Sequence, residues 1–305
     1  MSATVPAELF VLAGLPRTGT TSLFHILGRH PQFCQPYRKE VGYFLFNFDR
    51  GRRWLDRVYG HRLPGQLCLD VTPEYCLSGQ ALDRIVEHDP PVRVALGVRH
   101  ASALAASLHR ELRRRRDDVP DFDSWLDGYG YHRRGTEIRY ELGRGALVRA
   151  IEDYRRRLGP RLLLYDYDLL LSDPVYVLRC IETFLGLSGH FTPDGFKNLF
   201  FNASNRSDSR PISRFLAEEP LIAVLERVMP RRLLLLMARC FYLAMSRGRR
   251  AAAGTAGISK TENSLDDEAV KISRVFGAGP VVLGTGDAVV PRSQVRRRLD
   301  LIGRF

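Results

Sequence analysis

The feature that most constrains this chain is an apolar run that ends in a glycine loop. Glu8–Ala13 (ELFVLA) has the length and residue types of a buried strand. Directly after it comes Gly14–Ser22 (GLPRTGTTS), which leads into a stretch of helical period over Thr20–Arg29. A strand that turns into a helix in this way leaves the N–H groups of the helix's first turn without partners, and such donors gather an anion. Thr18, Thr20, Thr21 and Ser22 add hydroxyls, and Arg17 adds a positive charge. Capping alone requires fewer donors, so the loop reads as an anion site.

The alternation continues along the chain. Leu67–Val71, Val92–Val98 and Arg161–Tyr165 are strand-like, and Ala81–His88, Ser102–Arg116, Ala146–Leu158 and Val175–Leu187 have helical period. Strands separated by helices need crossover connections, which run neighbouring strands parallel. The expected fold class is α/β: a P-loop-like parallel β-sheet with helices on both faces, as one domain over residues 1–248. Residues 249–268 turn small and polar and read as a linker. Residues 269–305 hold two short helical stretches, too small for a core of their own, that form an appendage.

Composition bears on ligand and compartment. The formal charge of the 305 residues is +12, and only four of the 46 basic residues are Lys. Arg favours planar, two-pronged contacts with phosphate, sulfate and carboxylate. The apolar runs Leu9–Leu15 and Leu233–Met245 are both too short to span a bilayer, and no basic segment precedes the first to make a signal peptide. Five well-separated cysteines without a CxxC spacing argue against a disulfide framework or a metal site. Together these point to a reduced, cytoplasmic protein. Leu233–Met245, flanked by arginines, suits either a buried amphipathic helix or a peripheral membrane-surface contact.

The loop's spacing narrows the chemistry. A nucleoside triphosphatase loop reads G-x-x-x-x-G-K-[ST]; Gly14 and Gly19 keep that spacing, but Thr20 stands where the Lys belongs, and the cation has moved to Arg17. Pro16–Thr21 (PRTGTT) resembles the 5′-phosphosulfate loop, P-[KR]-[ST]-G-T-[TS], of the sulfotransferases that use 3′-phosphoadenosine 5′-phosphosulfate (PAPS). Further segments follow in the order of that family. Val94–Arg99 (VALGVR) is a strand ending in Arg, with Ser107 eight residues on. Leu162–Pro174 (LLLYDYDLLLSDP), then Phe184–Leu187 (FLGL), is similar to the family's later strand, turn and helix. Phe201–Pro211 (FNASNRSDSRP) stands where family members carry a closing loop, without its Lys-Gly-Arg core.

The resemblance implies PAPS as donor, with no metal required. It implies that Arg17, Thr18, Gly19, Thr20, Thr21 and Ser22 hold the 5′ end. It gives the 3′-phosphate to Arg99 and Ser107, the adenine side to Tyr167, and closing contacts to Arg206 and Arg210. Arg17 then neutralises charge on the departing phosphate oxygen, an electrostatic role because Arg keeps its proton. Arg38–Phe44 (RKEVGYF) is similar to the K-E-x-H-F-F segment of the heparan-type members, which implies Glu40 as base. Gly42 replaces the His of that segment, Leu45 replaces an Asp, and in Leu69–Tyr75 (LDVTPEY) Val71 replaces a Lys. His25, His61 and His109 are rival bases. The acceptor is expected to be a carbohydrate, lipid or other small molecule, in a pocket from Phe44–Tyr59 and Asp118–Glu141. Two other classes stay open: a P-loop kinase or NTPase with Leu162–Asp166 as its second strand, and a non-catalytic nucleotide- or membrane-surface-binding protein using Arg113–Arg116, Arg155–Arg157 and Arg296–Arg298. Nucleic acid is not an expected partner.

Overall fold

The computed structural model describes residues 8–142 and 145–192. The expectations for Arg206, Arg210, Leu233–Met245, the linker 249–268 and the appendage 269–305 lie outside the described residues.

Strand β1 (Leu9–Gly14) is buried at every position, which makes it a central strand. After it come α1 (Thr20–Leu27), β2 (Phe33–Cys34), α2 (Tyr43–Phe46), α3 (Arg52–Val58), β3 (Leu67–Val71), α4 (Gly79–Glu87), β4 (Arg93–Val98) and α5 (Ala101–Arg115). Then follow α6 (Phe122–Asp127), β5 (Tyr129–Arg133), β6 (Thr136–Tyr140), α7 (Ala146–Leu158), β7 (Leu162–Asp166), α8 (Tyr167–Ser172) and α9 (Pro174–Leu185). Five strands form one sheet in the order β2-β3-β1-β4-β7, parallel at every pairing. The chain runs from β1 to β3 on one side and crosses to β4 on the other. The carboxyl ends of β1 and β4 therefore flank the switch point, where open α/β sheets bind ligands.

Alternate residues of β1 serve opposite faces. Leu9, Val11 and Ala13 join an apolar cluster with Leu55, Leu82, Ile85, Leu108, Ile151 and Leu158, which come from α3, α4, α5 and α7. On the other face the Phe10 ring lies 5.9 Å from Phe33 and 6.5 Å from Phe184 of α9. Helix α7 buries Leu147, Ile151, Tyr154 and Leu158, a stripe at helical spacing. Helix α9 starts with Pro174 in its first turn, where the Asp173 side chain accepts from Tyr176 N–H, and stops at the left-handed Gly186.

The strands and helices named from the sequence lie within about two residues of those found. The two-residue β2, the short helices α2, α3, α6 and α8, and the antiparallel hairpin β5–β6 were not anticipated. The hairpin turns at Arg134 and Gly135, both with positive φ (51° and 78°), the backbone a tight two-residue turn demands. Among the described residues, no helix is long and apolar enough to cross a membrane.

Candidate active site

The glycine loop leaves the carboxyl end of β1 and is pinned to β4, where Leu15 N–H donates to the Gly97 carbonyl at 3.1 Å. Gly97 permits that approach: a Cβ there would stand 2.4 Å from Thr18 Oγ1. Thr18 is fully buried. Its hydroxyl donates to the Leu15 carbonyl at 2.7 Å and lies 3.4 Å from Tyr165 Oη. This corrects the expectation for Thr18, whose hydroxyl is used inside the loop and leaves the backbone as its contribution to a ligand. Gly19, at φ +81°, caps α1, and a Cβ on it would meet Leu170 at 2.7 Å and the Tyr167 ring at 3.4 Å. Neither a capping side chain nor an acidic residue occupies the first turn of α1. An anion suits that end of the helix.

Four residues far apart in sequence meet at the loop. Arg17 Nε donates to Ser107 Oγ at 3.0 Å, and Arg99 Nη1 donates to the Arg17 carbonyl at 3.0 Å. The Arg99 guanidinium lies 4.6 Å over the Tyr167 ring. Glu111, one turn beyond Ser107 on α5, stands 3.8 Å from Arg17 and pairs with Arg115 at 2.5 Å. Burial lowers the Arg17 guanidinium below its ordinary range; Arg115 and Arg99 push the same way, and Glu111 opposes them. Arg17 and Arg115 flank Glu111, and Arg99 adds a further guanidinium beside Arg17, so positive charge exceeds this one carboxylate beside the uncapped helix end. The residues present therefore fit a donor that carries phosphate groups.

Across from the loop, the stretch before α2 is tied to the end of β3. Glu40 N–H donates to the Val71 carbonyl at 3.1 Å, Gly42 N–H to Thr72 Oγ1 at 3.1 Å and Phe44 N–H to Tyr75 Oη at 3.2 Å. The Thr72 and Tyr75 hydroxyls donate in turn to Asp70, at 2.7 and 2.5 Å. Burial pushes the Asp70 carboxyl up to about 6 against these hydrogen bonds. The network presents two carboxylates to one cation. Arg133, from β5, donates to Glu40 Oε2 and to Glu74 Oε1, both at 2.5 Å, and Lys39 donates to Glu40 Oε1 at 2.7 Å. Burial works against the Glu40 carboxylate, yet Lys39 and Arg133 hold it well below the usual range. Burial and the nearby Glu40 charge raise Glu74, against Arg133 and Lys39.

A cleft of about 350 Å³ joins the two sides, lined by Arg17, Thr20 and Thr21 from the loop and by Glu40, Glu74 and Arg133 opposite them. Leu108, Tyr131 and Tyr140 supply its apolar wall. Of the expected acceptor segments, 118–141 reaches the cleft and 44–59 does not: Tyr59 is buried with its hydroxyl on the Leu69 carbonyl, and Trp54 packs 6.3 Å from Tyr43. The rival bases also lie elsewhere. His109 bonds the Pro120 carbonyl at 2.9 Å beside Phe122 and Trp125, His61 the Gln35 carbonyl at 3.0 Å, and His25 packs on Phe24. Sequence reasoning did not single out Glu111 or Arg133, and took Arg115 only as part of the surface run Arg113–Arg116. The signal for Arg133 was the alternation of Tyr129, Tyr131, Ile138 and Tyr140 about Arg134-Gly135, a hairpin pattern. Among the described residues no group of three or more His, Cys, Asp or Glu side chains is placed to hold a metal ion.

Comparison with known proteins bears on this geometry. No family model matches the chain. It is 25% identical over 197 residues to human heparan sulfate glucosamine 3-O-sulfotransferase 3B1, covering 63% of this chain and 48% of that protein. It is 26% identical over 196 residues to mouse heparan sulfate glucosamine 3-O-sulfotransferase 6, covering 64% and 56%. The chain thus spans about half the length of the curated relatives it matches. Among solved structures it resembles a sulfotransferase from Alicyclobacillus acidocaldarius, with a TM-score of 0.50 and 19% identity over 70% of this chain and 90% of that one. That likeness is one of fold.

Proposed function

We propose that the chain is a sulfotransferase that transfers a sulfuryl group from PAPS to a hydroxyl of a carbohydrate, lipid or other small-molecule acceptor, a reading supported by its similarity to the heparan sulfate glucosamine 3-O-sulfotransferases. The observation that carries the reading is the meeting of Arg17, Ser107, Arg99 and Tyr167 at the uncapped end of α1. Under this reading Thr20, Thr21 and the loop N–H groups hold the 5′-phosphosulfate, Ser22 supports the same turn, and Arg99 and Ser107 take the 3′-phosphate. Tyr167, stacked under Arg99, borders the adenine. PAPS supplies an electron-poor sulfur, so the protein's task is to position the partners and balance charge. Arg17 stabilises the negative charge that grows on the phosphate as the group departs. The acceptor hydroxyl approaches from the side of Glu40, Glu74 and Arg133. The relatives' names make a sugar hydroxyl the first acceptor to try.

The test is transfer of label from [35S]PAPS to a panel of glycosides, lipids and phenols, with EDTA present. Labelled product is expected, with Arg17→Ala slower by about 100-fold, the scale of one lost charge-stabilising group. Magnesium-dependent ATP hydrolysis without any label transfer would contradict the reading in favour of a P-loop NTPase.

A further inference from the structure

Glu40 is held by an arrangement that its own segment does not supply. Its backbone is left-handed, at φ +68°, and its N–H is tied to the Val71 carbonyl. Among the described residues the other non-glycine positions of that kind are Arg17, across the cleft, and Arg134, in the turn that follows Arg133. Such backbones persist where the surroundings enforce them, and all three belong to this cleft or its hairpin. The positions at which the chain departs from the heparan-type segments offer Glu40 no polar side chain: Gly42 has none, and Leu45 and Val71 are buried and apolar. The carboxylate is held from elsewhere. Lys39 donates to Oε1, and Arg133, at the end of β5, donates to Oε2. The Arg133 fork is itself fixed, because its other prong donates to Glu74 Oε1 and its guanidinium lies 5.3 Å over the Phe46 ring of α2. A planar guanidinium fixed on three sides sets the direction of the oxygen it bonds. Glu40 keeps about 22% of its side chain exposed in the lining of the cleft, so the carboxylate stays open to an acceptor.

We propose that Arg133 is the positioning residue of the acceptor side: by bridging Glu40 to Glu74 it aims the Glu40 carboxylate at the acceptor hydroxyl. The inference rests on the sulfotransferase reading of the site, with Glu40 as the base that its segment implies. In the step, the acceptor O–H bond breaks and its proton passes to the Glu40 carboxylate while the oxygen's pair forms the new bond to sulfur. The old S–O bond breaks, its electron pair stays on the departing 5′-phosphate beside Arg17, and Glu40 later releases the proton to solvent. Arg133 keeps its own proton throughout.

The electrostatics agree with the geometry. The charged groups that act on Glu40 are Lys39 of its own stretch, Glu74 of the turn after β3, Arg133 of β5 and Arg115 of α5. Burial works against the charged form, but Lys39 and Arg133 outweigh it. Loss of Arg133 removes one of these two cations and leaves the Glu74 carboxylate in place, so Glu40 then takes a proton more readily. The residue that orients Glu40 therefore also sets the pH range over which it is charged.

Two measurements test the proposal. The first needs no activity: carboxyl 13C titration of glutamate-labelled protein, with Glu40→Gln to assign its signal. In Arg133→Ala the Glu40 signal is expected to titrate higher than in wild type by about one pH unit or more, the scale of one lost neighbouring cation. An unmoved signal overturns the proposal. The second is sulfate release from PAPS with water as acceptor. Arg133→Ala is expected to slow it by about 100-fold, the scale of a misaimed catalytic group, with the acidic limb of the rate profile at higher pH than in wild type. PAP, the desulfated product, should still bind within about twofold of wild type, since this substitution leaves the anion loop intact. Arg133→Lys keeps the charge without the two-pronged fork, so it should restore the acidic limb but no more than about a tenth of the rate. A merely structural tie predicts an unshifted limb, with rate and PAP affinity falling together; that pattern, or full recovery with Lys, overturns the assignment. If wild type binds PAP and releases sulfate while Arg133→Ala does so equally fast, the Arg133 assignment alone fails. If wild type neither binds PAP nor releases sulfate, the sulfotransferase reading fails with it.

Discussion

At the scale of single residues, Arg133 joins the two sides of the site, and its loss has a readable pH signature. Arg133→Ala leaves Glu40 and Glu74 facing each other with Lys39 as their near cation, a loss of about 2 kcal/mol for a partly exposed network of this kind. Arg133 helps to hold Glu40 below its ordinary range, so that stability is present above the unfolded carboxylate range and fades as pH falls. Denaturant melts should show the full penalty at pH 7 and a smaller one near pH 3. Asp70 has the opposite sign. Its carboxyl is pushed up to about 6, so the fold is favoured by the neutral acid, and that contribution is lost as pH rises from about 4 through 6. The stability of wild type relative to Asp70→Asn should therefore decline over that interval, by about 3 kcal/mol at most, and then level off. Arg17, Arg99 and Ser107 were legible because each sits at a fixed offset from a strand end. Glu111 and Arg133 were not, since nothing local marks a charge that reaches its partner from a helix turn or a hairpin far along the chain. Thr18 was legible as a loop hydroxyl but not in its direction, which Gly97 and Tyr165 of other strands set.

At the scale of elements, the loop depends on a glycine that lies outside it. Gly97→Ala would drive a methyl into Thr18 and Tyr165, at 2.4 and 2.6 Å. Overpacking at such a contact costs about 1–3 kcal/mol. The substitution should lower the thermal midpoint and weaken PAP binding, although residue 97 itself carries no donor side chain; unchanged PAP affinity would show that the loop position does not depend on β4. The strands and longer helices were readable because a parallel sheet buried on both faces leaves continuous apolar runs, separated by stretches of helical period. The short helices between β2 and β3 and the hairpin β5–β6 were harder. Each is too brief for a period to show, and the hairpin is held by tertiary contacts such as the Arg133 bridges and the packing of Tyr140 near Trp125.

For the molecule as a whole, the charge balance of +12 divides into two parts. Arg17 and Arg115 line the cleft and Arg99 stands beside Arg17, each of the other two repelling it, while Arg156 and Arg157 pair with surface acids. The first group is an anion site with a specific geometry; the second is a solvated surface whose pairs contribute little. Ligand binding at the first group should weaken with added salt, but less steeply than contacts spread over the surface, because Arg17 at its centre is only partly exposed. The most direct test of this account is calorimetric titration with PAP, which carries the phosphates at both ends of the ribose without the reacting group. Wild type is expected to bind one equivalent, and Arg99→Ala to bind about ten- to a hundredfold more weakly, the scale of a lost charge-assisted hydrogen bond. No heat with the wild-type protein, or equal affinity in the two, would contradict it.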